Sequence, residues 1–300
     1  MSDFSSDFWS YYVALITVIS IVACAVLLWT MSTQRVPNQK VQTLGHVWDE
    51  NLAEYNNPLP NWWRWMFYLT IIFGLAYLVL YPGLGRFAGT FKWSSGGQYE
   101  AEQATAAENY GPLFAKYAAM DIPAVAADPQ AREIGQRLFL NYCSQCHASD
   151  ARGGRGFPNL TDNDWLYGGE PATIEATITG GRNGIMPPLG GMLGEDGVKN
   201  VANYVLSLSG TMHDAELAAK GKQTFVTICA ACHGQDGKGN TALGAPNLTD
   251  RIWLYGGSLA TVAETIRNGR NNKMPAWGEF LGKEKVHLLA AYVWGLSHEK

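Results

Sequence analysis

Cysteine is scarce in this chain: there are five in 300 residues, and four of them sit in two copies of one pentapeptide. Nothing is left over for a disulfide framework. Charge is also thin, at 16% of residues with a formal net charge of −4, so no electrostatic footprint for nucleic acid exists. The amino-terminal segment carries Asp3 and Asp7 but no Lys or Arg ahead of its apolar run, and no A-x-A site follows. A cleavable signal peptide fits that pattern poorly. No stretch reads clearly as a sheet.

The pentapeptide is C-x-x-C-H, present as Cys143-Ser144-Gln145-Cys146-His147 and as Cys229-Ala230-Ala231-Cys232-His233. It is the attachment pattern of a c-type haem. Thiols three positions apart lie about one helical turn apart, which suits thioether bonds to the two vinyl groups on one porphyrin edge. The adjacent imidazole then reaches the iron as proximal ligand. A bare C-x-x-C would fit redox dithiols or zinc clips equally well; the histidine in both copies points to two covalently attached haems c. The fifth cysteine, Cys24, lies in the amino-terminal apolar run and reads as a small apolar filler.

The motifs belong to a longer repeat. Pro158-Asn159-Leu160-Thr161-Asp162 recurs as Pro246-Asn247-Leu248-Thr249-Asp250, and Trp165-Leu166-Tyr167-Gly168-Gly169 as Trp253-Leu254-Tyr255-Gly256-Gly257. Gly181-Arg182-Asn183 with Met186-Pro187 recurs as Gly269-Arg270-Asn271 with Met274-Pro275, at the same offset of 88. The motifs themselves are offset by 86, so the second copy carries a two-residue insertion soon after its histidine. A unit this long is a duplicated domain: residues 128–210 form one copy and 211–300 the other, each expected to close its own core around a flat cofactor. Burying a porphyrin supplies apolar area that a chain of about 85 residues lacks.

The first third has another composition. Phe8 to Trp29 is uncharged and would reach about 33 Å as a helix, enough for a hydrocarbon core of about 30 Å. Trp9, Tyr11, Tyr12 and Trp29 read as interfacial aromatics. A second run, 65–81, reaches only about 25 Å before Pro82-Gly83, with Trp62-Trp63-Trp65 and Tyr81 as its belts. Residues 1–82 thus form a membrane anchor with candidate spans 8–29 and 65–81. Arg35, Lys40 and Arg64 fall in the connection 30–64, which places that connection in the cytoplasm and both chain ends outside. Residues 83–127, rich in Gly, Ser, Ala and Gln, read as a periplasmic linker with helix from Glu100 to Tyr117.

Asp128-Pro129 then caps a helix running to the first motif, with Ile134, Leu138 and Tyr142 on one face. Asp214 opens its counterpart, with Leu217, Gly221, Phe225 and Ile228 inward. Each copy ends in a helix, marked by Val198, Val201, Val205 and Leu208 and by Val286, Leu289, Val293 and Leu296. Helix, motif, Gly-rich loops, Met-Pro and terminal helix resemble the class I cytochrome c fold. The expected class is mainly α, two such domains in tandem behind transmembrane helices.

Of eight methionines, only Met186 and Met274 occupy equivalent repeat positions, each before a proline. They are the expected distal iron ligands opposite His147 and His233, closing each haem for electron transfer. Spacing leaves open whether each methionine serves its own repeat or the other. Arg182 and Arg270 are expected at haem propionates, which suit a planar fork of donors. Trp165, Trp253, Tyr167 and Tyr255 are expected to wall the pockets. Met192, without a partner in the second copy, reads as packing; His213 and His298 as solvent-facing; His287 as a partly buried side chain.

Gly45-His46-Val47-Trp48-Asp49-Glu50-Asn51-Leu52, Glu54-Tyr55-Asn56-Asn57-Pro58-Leu59-Pro60 and Trp62-Trp63 resemble the connecting segment of one family, the dihaem c-type subunit III of cbb3-type cytochrome c oxidases. On physical grounds alone the segment is a polar, aromatic linker beside a membrane. The resemblance covers the chain from the first span onward. It implies haem attachment at Cys143, Cys146, Cys229 and Cys232, axial ligation by His147, His233, Met186 and Met274, and an inner-membrane location with the haem domains in the periplasm. It further implies partners: the catalytic haem-copper subunit, a further c-type cytochrome subunit, and a soluble or membrane-bound donor cytochrome. Such a subunit relays electrons and is no enzyme by itself; two spans and six histidines cannot build a buried haem-copper centre. Some family members have a single span where this chain has two candidates. A dihaem peroxidase would keep one haem open, and a redox or gas sensor would need an output module. A subunit of a membrane dehydrogenase or cytochrome bc-type complex differs chiefly by the connecting segment.

Overall fold

The computed structural model describes residues 6–32 and 40–298. Helices α1, Asp7–Met31, and α2, Asn61–Leu80, bracket a hairpin of strands β1, Thr43–Trp48, and β2, Leu52–Tyr55. Both helices are long and apolar enough to cross a bilayer, and their apolar side chains lie almost wholly exposed. The second helix starts right after Pro60 rather than at 65, taking the tryptophan cluster into its first turns. Its 20 residues reach about 30 Å, which removes the shortfall expected from the sequence. The two helices are antiparallel neighbours. Arg86, in the turn after α2, pairs with Asp7, its backbone N–H donates to Ser10 Oγ at 2.9 Å, and Gly85 lies so close to Ser10 that a Cβ would overlap it. Of the basic residues used for orientation, Arg35 lies outside the described residues.

The chain divides into one compact unit ending at Glu108 and a second beginning at Asn109. Helix α3, Ser95–Ala118, is longer than expected and is followed by α4, Ile122–Ala127. The first repeat then runs through α5 (Pro129–Tyr142), α6 (Ser144–His147), α7 (Pro171–Gly180), β3 (Arg182–Met186) and α8 (Gly190–Leu208). The second runs through α9 (Ala215–Thr224), a π-helical turn Phe225–Cys229, α10 (Ala230–His233), α11 (Leu259–Asn268), β4 (Arg270–Met274), α12 (Gly278–Leu281) and α13 (Lys283–His298). The caps are as expected. The Asp128 carboxylate accepts from the N–H groups of Gln130 and Ala131, and Asp214 from those of Glu216 and Leu217. The fold is mainly helical, but strands appear where none were expected. β1 pairs with β2, and β3 with β4, both antiparallel.

The two hydrophobic cores do not coincide with the two repeats. One contains Phe139 of α5 and Ile174 and Ile178 of α7 together with Leu288, Leu289 and Val293 of α13. The other contains Val198, Val201, Val205 and Leu206 of α8 together with Phe225, Val262 and Ile266 of the second repeat. Each repeat therefore sends its terminal helix into the other's core. The segment 109–127, expected to be tether, also enters: Tyr117, Ile122, Val125 and Ala126 are buried beside α13.

The crossings explain two glycines and two aromatic pairs. Gly135 of α5 lies against Leu288 and Tyr292 of α13, and Gly221 of α9 against the Asn200 backbone of α8. One turn on, Phe139 meets Tyr292 with ring centroids 5.5 Å apart, and Phe225 meets Tyr204 at 5.1 Å. The buried stripe of α5 is Ala131, Gly135 and Phe139, one residue round from the expected Ile134, Leu138 and Tyr142, which are half-buried. A Cβ at Gly221 would overlap backbone, which cannot move aside as a side-chain tip can. Gly221→Ala should therefore lower stability by about 1–3 kcal/mol, whereas Gly180→Ala, facing open space, should change it little. Urea midpoints of the detergent-solubilised chain, followed by tryptophan fluorescence, separate the two.

Candidate functional site

Each pentapeptide occupies a short helical turn at the end of a longer helix, Cys143 after α5 and Cys229 at the end of the π-helical turn. Cys143 and Cys229 are half-buried and Cys146 and Cys232 exposed, and none of the four is in a disulfide. Burial, with Cys146 close by, pushes the Cys143 thiol up to about 11, and burial raises Cys229 in the same way. The adjacent imidazoles turn inward. His147 Nδ1 donates to the Pro158 carbonyl at 3.1 Å and His233 Nδ1 to that of Pro246 at 3.1 Å. Burial holds both rings below the ordinary histidine range, against the opposing effect of those hydrogen bonds. With Nδ1 carrying the proton, Nε2 of each ring has a free lone pair, the form in which histidine binds a metal.

The loops behind the two motifs are built alike. Gly153 N–H donates to His147 O and Gly239 N–H to His233 O, both at 2.8 Å. The inserted residues of the second copy widen the next turn, so that the bridge Gly154–Phe157 becomes Asn240–Ala245.

Strands β3 and β4 bring the two methionine segments together. Their register pairs Arg182 with Met274, Gly184 with Asn272 and Met186 with Arg270, so each methionine lies opposite the other repeat's arginine. Beyond the strands the chain stays crossed: Trp277 N–H donates to Ile178 O and Leu189 N–H to Ile266 O, both at 3.0 Å. Gly181 and Gly269, at φ +68° and +69°, close α7 and α11 against the carbonyls of Met274 and Met186 respectively. A side chain there would meet both left-handed strain and backbone overlap. In consequence Met274 packs in the core that holds Cys143, Leu160, Trp165 and Trp277, and Met186 in the core that holds Cys229, Leu248, Trp253 and Leu189.

The arginines differ from one another. Arg182 lies 4.8 Å from the Tyr167 ring centroid and bonds Thr177 Oγ1 through Nε alone. Arg270 stacks at 4.2 Å on Tyr255 and spends Nε and both terminal nitrogens on Thr265 and Glu264. Gly184 and Asn272 create a second difference. Asn272 Nδ2 donates to the Gly156 carbonyl at 2.8 Å, whereas at Gly184 there is no side chain and the buried Tyr167 hydroxyl has no partner among the described residues. Asp164 is distinctive of the first repeat. Burial, reinforced by Asp250 and Asp162, pushes its carboxyl up to about 6.

Other side chains singled out in the sequence lie elsewhere. Met192 is exposed, His213 is exposed with Nδ1 on Thr211 O, and His298 stacks on Trp294 at 4.1 Å. His287 is half-buried between Glu175 Oε1 and the Met120 carbonyl, 2.9 Å from each. Cys24 is exposed on α1. Zinc, which takes four ligands, finds no cage here: no group of three His, Cys, Asp or Glu side chains converges among the described residues.

Two family models match the chain. The N-terminal domain of cytochrome oxidase-cbb3, FixP, covers residues 40–88, and cytochrome c oxidase, cbb3-type, subunit III covers 130–205 and 216–293. The chain is 53% identical over 298 residues to the cbb3-type cytochrome c oxidase subunit CcoP of Rubrivivax gelatinosus, covering 99% of this chain and 97% of that one. It is 41% identical to CcoP of Cereibacter sphaeroides, over 85% of this chain and 94% of the relative. To FixP of Azorhizobium caulinodans it is again 41% identical, over 84% and 91%.

The chain belongs to the CcoP/FixP family. Its cytochrome c domains imply covalently bound haem c, and the residues present fit that group: paired cysteines beside an inward imidazole anchored through Nδ1, and apolar walls. Membership makes it an electron-transfer subunit of a cbb3-type oxidase, anchored by apolar amino-terminal helices.

The contrast between the two repeats at this position is testable. Asn272→Ala, which removes the hydrogen bond to the Gly156 carbonyl, should destabilise the solubilised CcoP-type chain by about 1 kcal/mol, the usual worth of one hydrogen bond. Tyr167→Phe should be neutral or stabilising, since its hydroxyl is buried without a partner. Equal losses in denaturant titrations would contradict the asymmetry.

Proposed function

We propose that this subunit carries two haems c, one on Cys143 and Cys146 and one on Cys229 and Cys232, and that the repeats exchange their distal ligands. Met274 and His147 would hold the iron of the first haem, and Met186 and His233 that of the second. The observation that carries this reading is the composition of the two cores, each of which joins one motif to the other repeat's methionine. When bound, each haem supplies a one-electron Fe(III)/Fe(II) couple, and thioether ligation favours the reduced state. The chain's own part is to orient and enclose. The Pro158 and Pro246 carbonyls fix the imidazoles, while Trp165 and Trp253 exclude water. The ladder holds the two methionines at opposite ends, four residues or about 14 Å apart along the strands. Arg182, with its terminal nitrogens uncommitted, meets a propionate; Arg270, tied to Glu264 and Thr265, serves chiefly as a brace. With a histidine and a methionine available to each iron, the site would suit relay of electrons from a donor cytochrome towards the catalytic haem-copper subunit, not reaction with oxygen.

Ligand exchange is read one haem at a time. In a Cys229→Ala/Cys232→Ala chain, half the haem should survive acid–acetone extraction. Adding Met274→Leu should abolish the thioether spectral signature of the remaining haem and lower its potential, while adding Met186→Leu should leave both unchanged. The opposite pattern would mean local ligation.

The haem unit is assigned to the periplasm and the segment between α1 and α2 to the cytoplasm. The antiparallel helix pair, the basic residues Arg35 and Lys40 of that segment and Arg64 in the first turn of α2 support this. A periplasmic reporter fused after Gly97 should be active and one fused at Asn51 silent; the reverse would invert the topology.

A further inference from the structure

The hairpin Thr43–Tyr55 has no core of its own. Of its ten strand residues all but Ala53 are exposed to solvent, including Leu44, Val47, Trp48, Leu52 and Tyr55. The register pairs Trp48 with Leu52 and Val47 with Ala53, so apolar residues occupy both faces. Trp48 and His46 share one face, their rings 4.3 Å apart. An isolated two-stranded hairpin is at best marginally stable in water. This one is strained as well: Asp49 and Glu50, at its tip, hold φ of +44° and +67°. Among the described residues, no ion pair is formed by Asp49, Glu50 or Glu54. Five residues separate Tyr55 from the first turn of α2, with its tryptophans, so the hairpin stands beside that helix's end.

We infer that this hairpin docks a basic surface of another subunit of the oxidase, an inference that rests on the reading of the chain as a subunit of that complex. Lipid fits less well, for three reasons. A bilayer surface would cover one apolar face and leave the other in water. The three carboxylates would be repelled by anionic headgroups. The outer strand edges carry unpaired N–H and C=O groups that acyl chains cannot satisfy. A protein surface can bury both faces, pair the edges and answer the acidic tip with Lys or Arg.

The test uses the full chain in its native membranes, with p-benzoylphenylalanine replacing Trp48 or Leu52 and irradiation before purification. A cross-link to an oxidase subunit is expected, with a yield that falls as ionic strength rises. In a chain carrying Asp49→Lys, Glu50→Lys and Glu54→Lys the yield should drop at least tenfold, equivalent to about 1.4 kcal/mol. The neutral variant Asp49→Asn, Glu50→Gln, Glu54→Gln should lie between and lose the salt dependence, which separates charge loss from unfolding of the hairpin. Adducts to lipid alone, or yields indifferent to charge and salt while the chain still co-purifies with oxidase subunits, would overturn the inference. A chain that co-purifies with no oxidase subunit would overturn the underlying reading as well.

Discussion

The five-pair ladder between β3 and β4 is the contact on which the haem-bearing unit depends. It is short, polar and half-exposed, yet it forces each repeat's chain to cross into the other's territory just before its terminal helix. Once crossed, α8 can bury its apolar stripe only against α9 and α11, and α13 only against α4, α5 and α7. Neither core exists without both repeats. The repeat in this chain forms one interlocked body in which each core holds one C-x-x-C-H motif and the other repeat's methionine.

Interlocking places strict demands on backbone approach, and glycine meets them. Gly135 and Gly221 let helices from different repeats cross at backbone distance, and Gly181 and Gly269 let helix ends turn against the other repeat's Met-Pro carbonyl. These positions come in symmetric pairs because the pseudo-twofold arrangement imposes each demand twice. Symmetry is broken where the demand is weaker. Gly184 faces Asn272 across the ladder, and only Asn272 has a side chain to bond the other repeat, at the Gly156 carbonyl. Arg270 is braced where Arg182 is not, and Asp164, with its raised carboxyl, has Ile252 as its counterpart. Such differences give two duplicated sites distinct electrostatic surroundings.

Much of this was legible in the residues. The motif histidines, the helix caps Asp128 and Asp214, the paired methionines, the two-residue insertion and the mainly helical class all follow from local patterns, and local patterns are what a sequence displays. Exchange was not legible. An offset of 88 is the same whether a methionine turns home or crosses, so the choice is made by long-range packing. The strands escaped for a related reason: Arg182–Met186 and Arg270–Met274 are too short and polar to show an alternating pattern, and each is a strand only because the other lies beside it. Residues 109–127 of the linker 83–127 read as tether because apolar residues such as Tyr117, Ile122 and Val125 become meaningful only against α13.

Exchange of terminal helices is the central claim, and a double-mutant cycle on the buried aromatic pairs measures it directly. Aromatic contacts contribute about 0.5–1.5 kcal/mol beyond their burial, and coupling of that size is confined to rings that touch. Leucine substitutions at Phe139 and Tyr292, singly and together, should show such coupling in unfolding free energy, as should Phe225 with Tyr204. The pairs Phe139 with Tyr204 and Phe225 with Tyr292 should be additive. Coupling within each repeat and additivity across them would mean that each copy closes on its own terminal helix, and would contradict the interlocked fold.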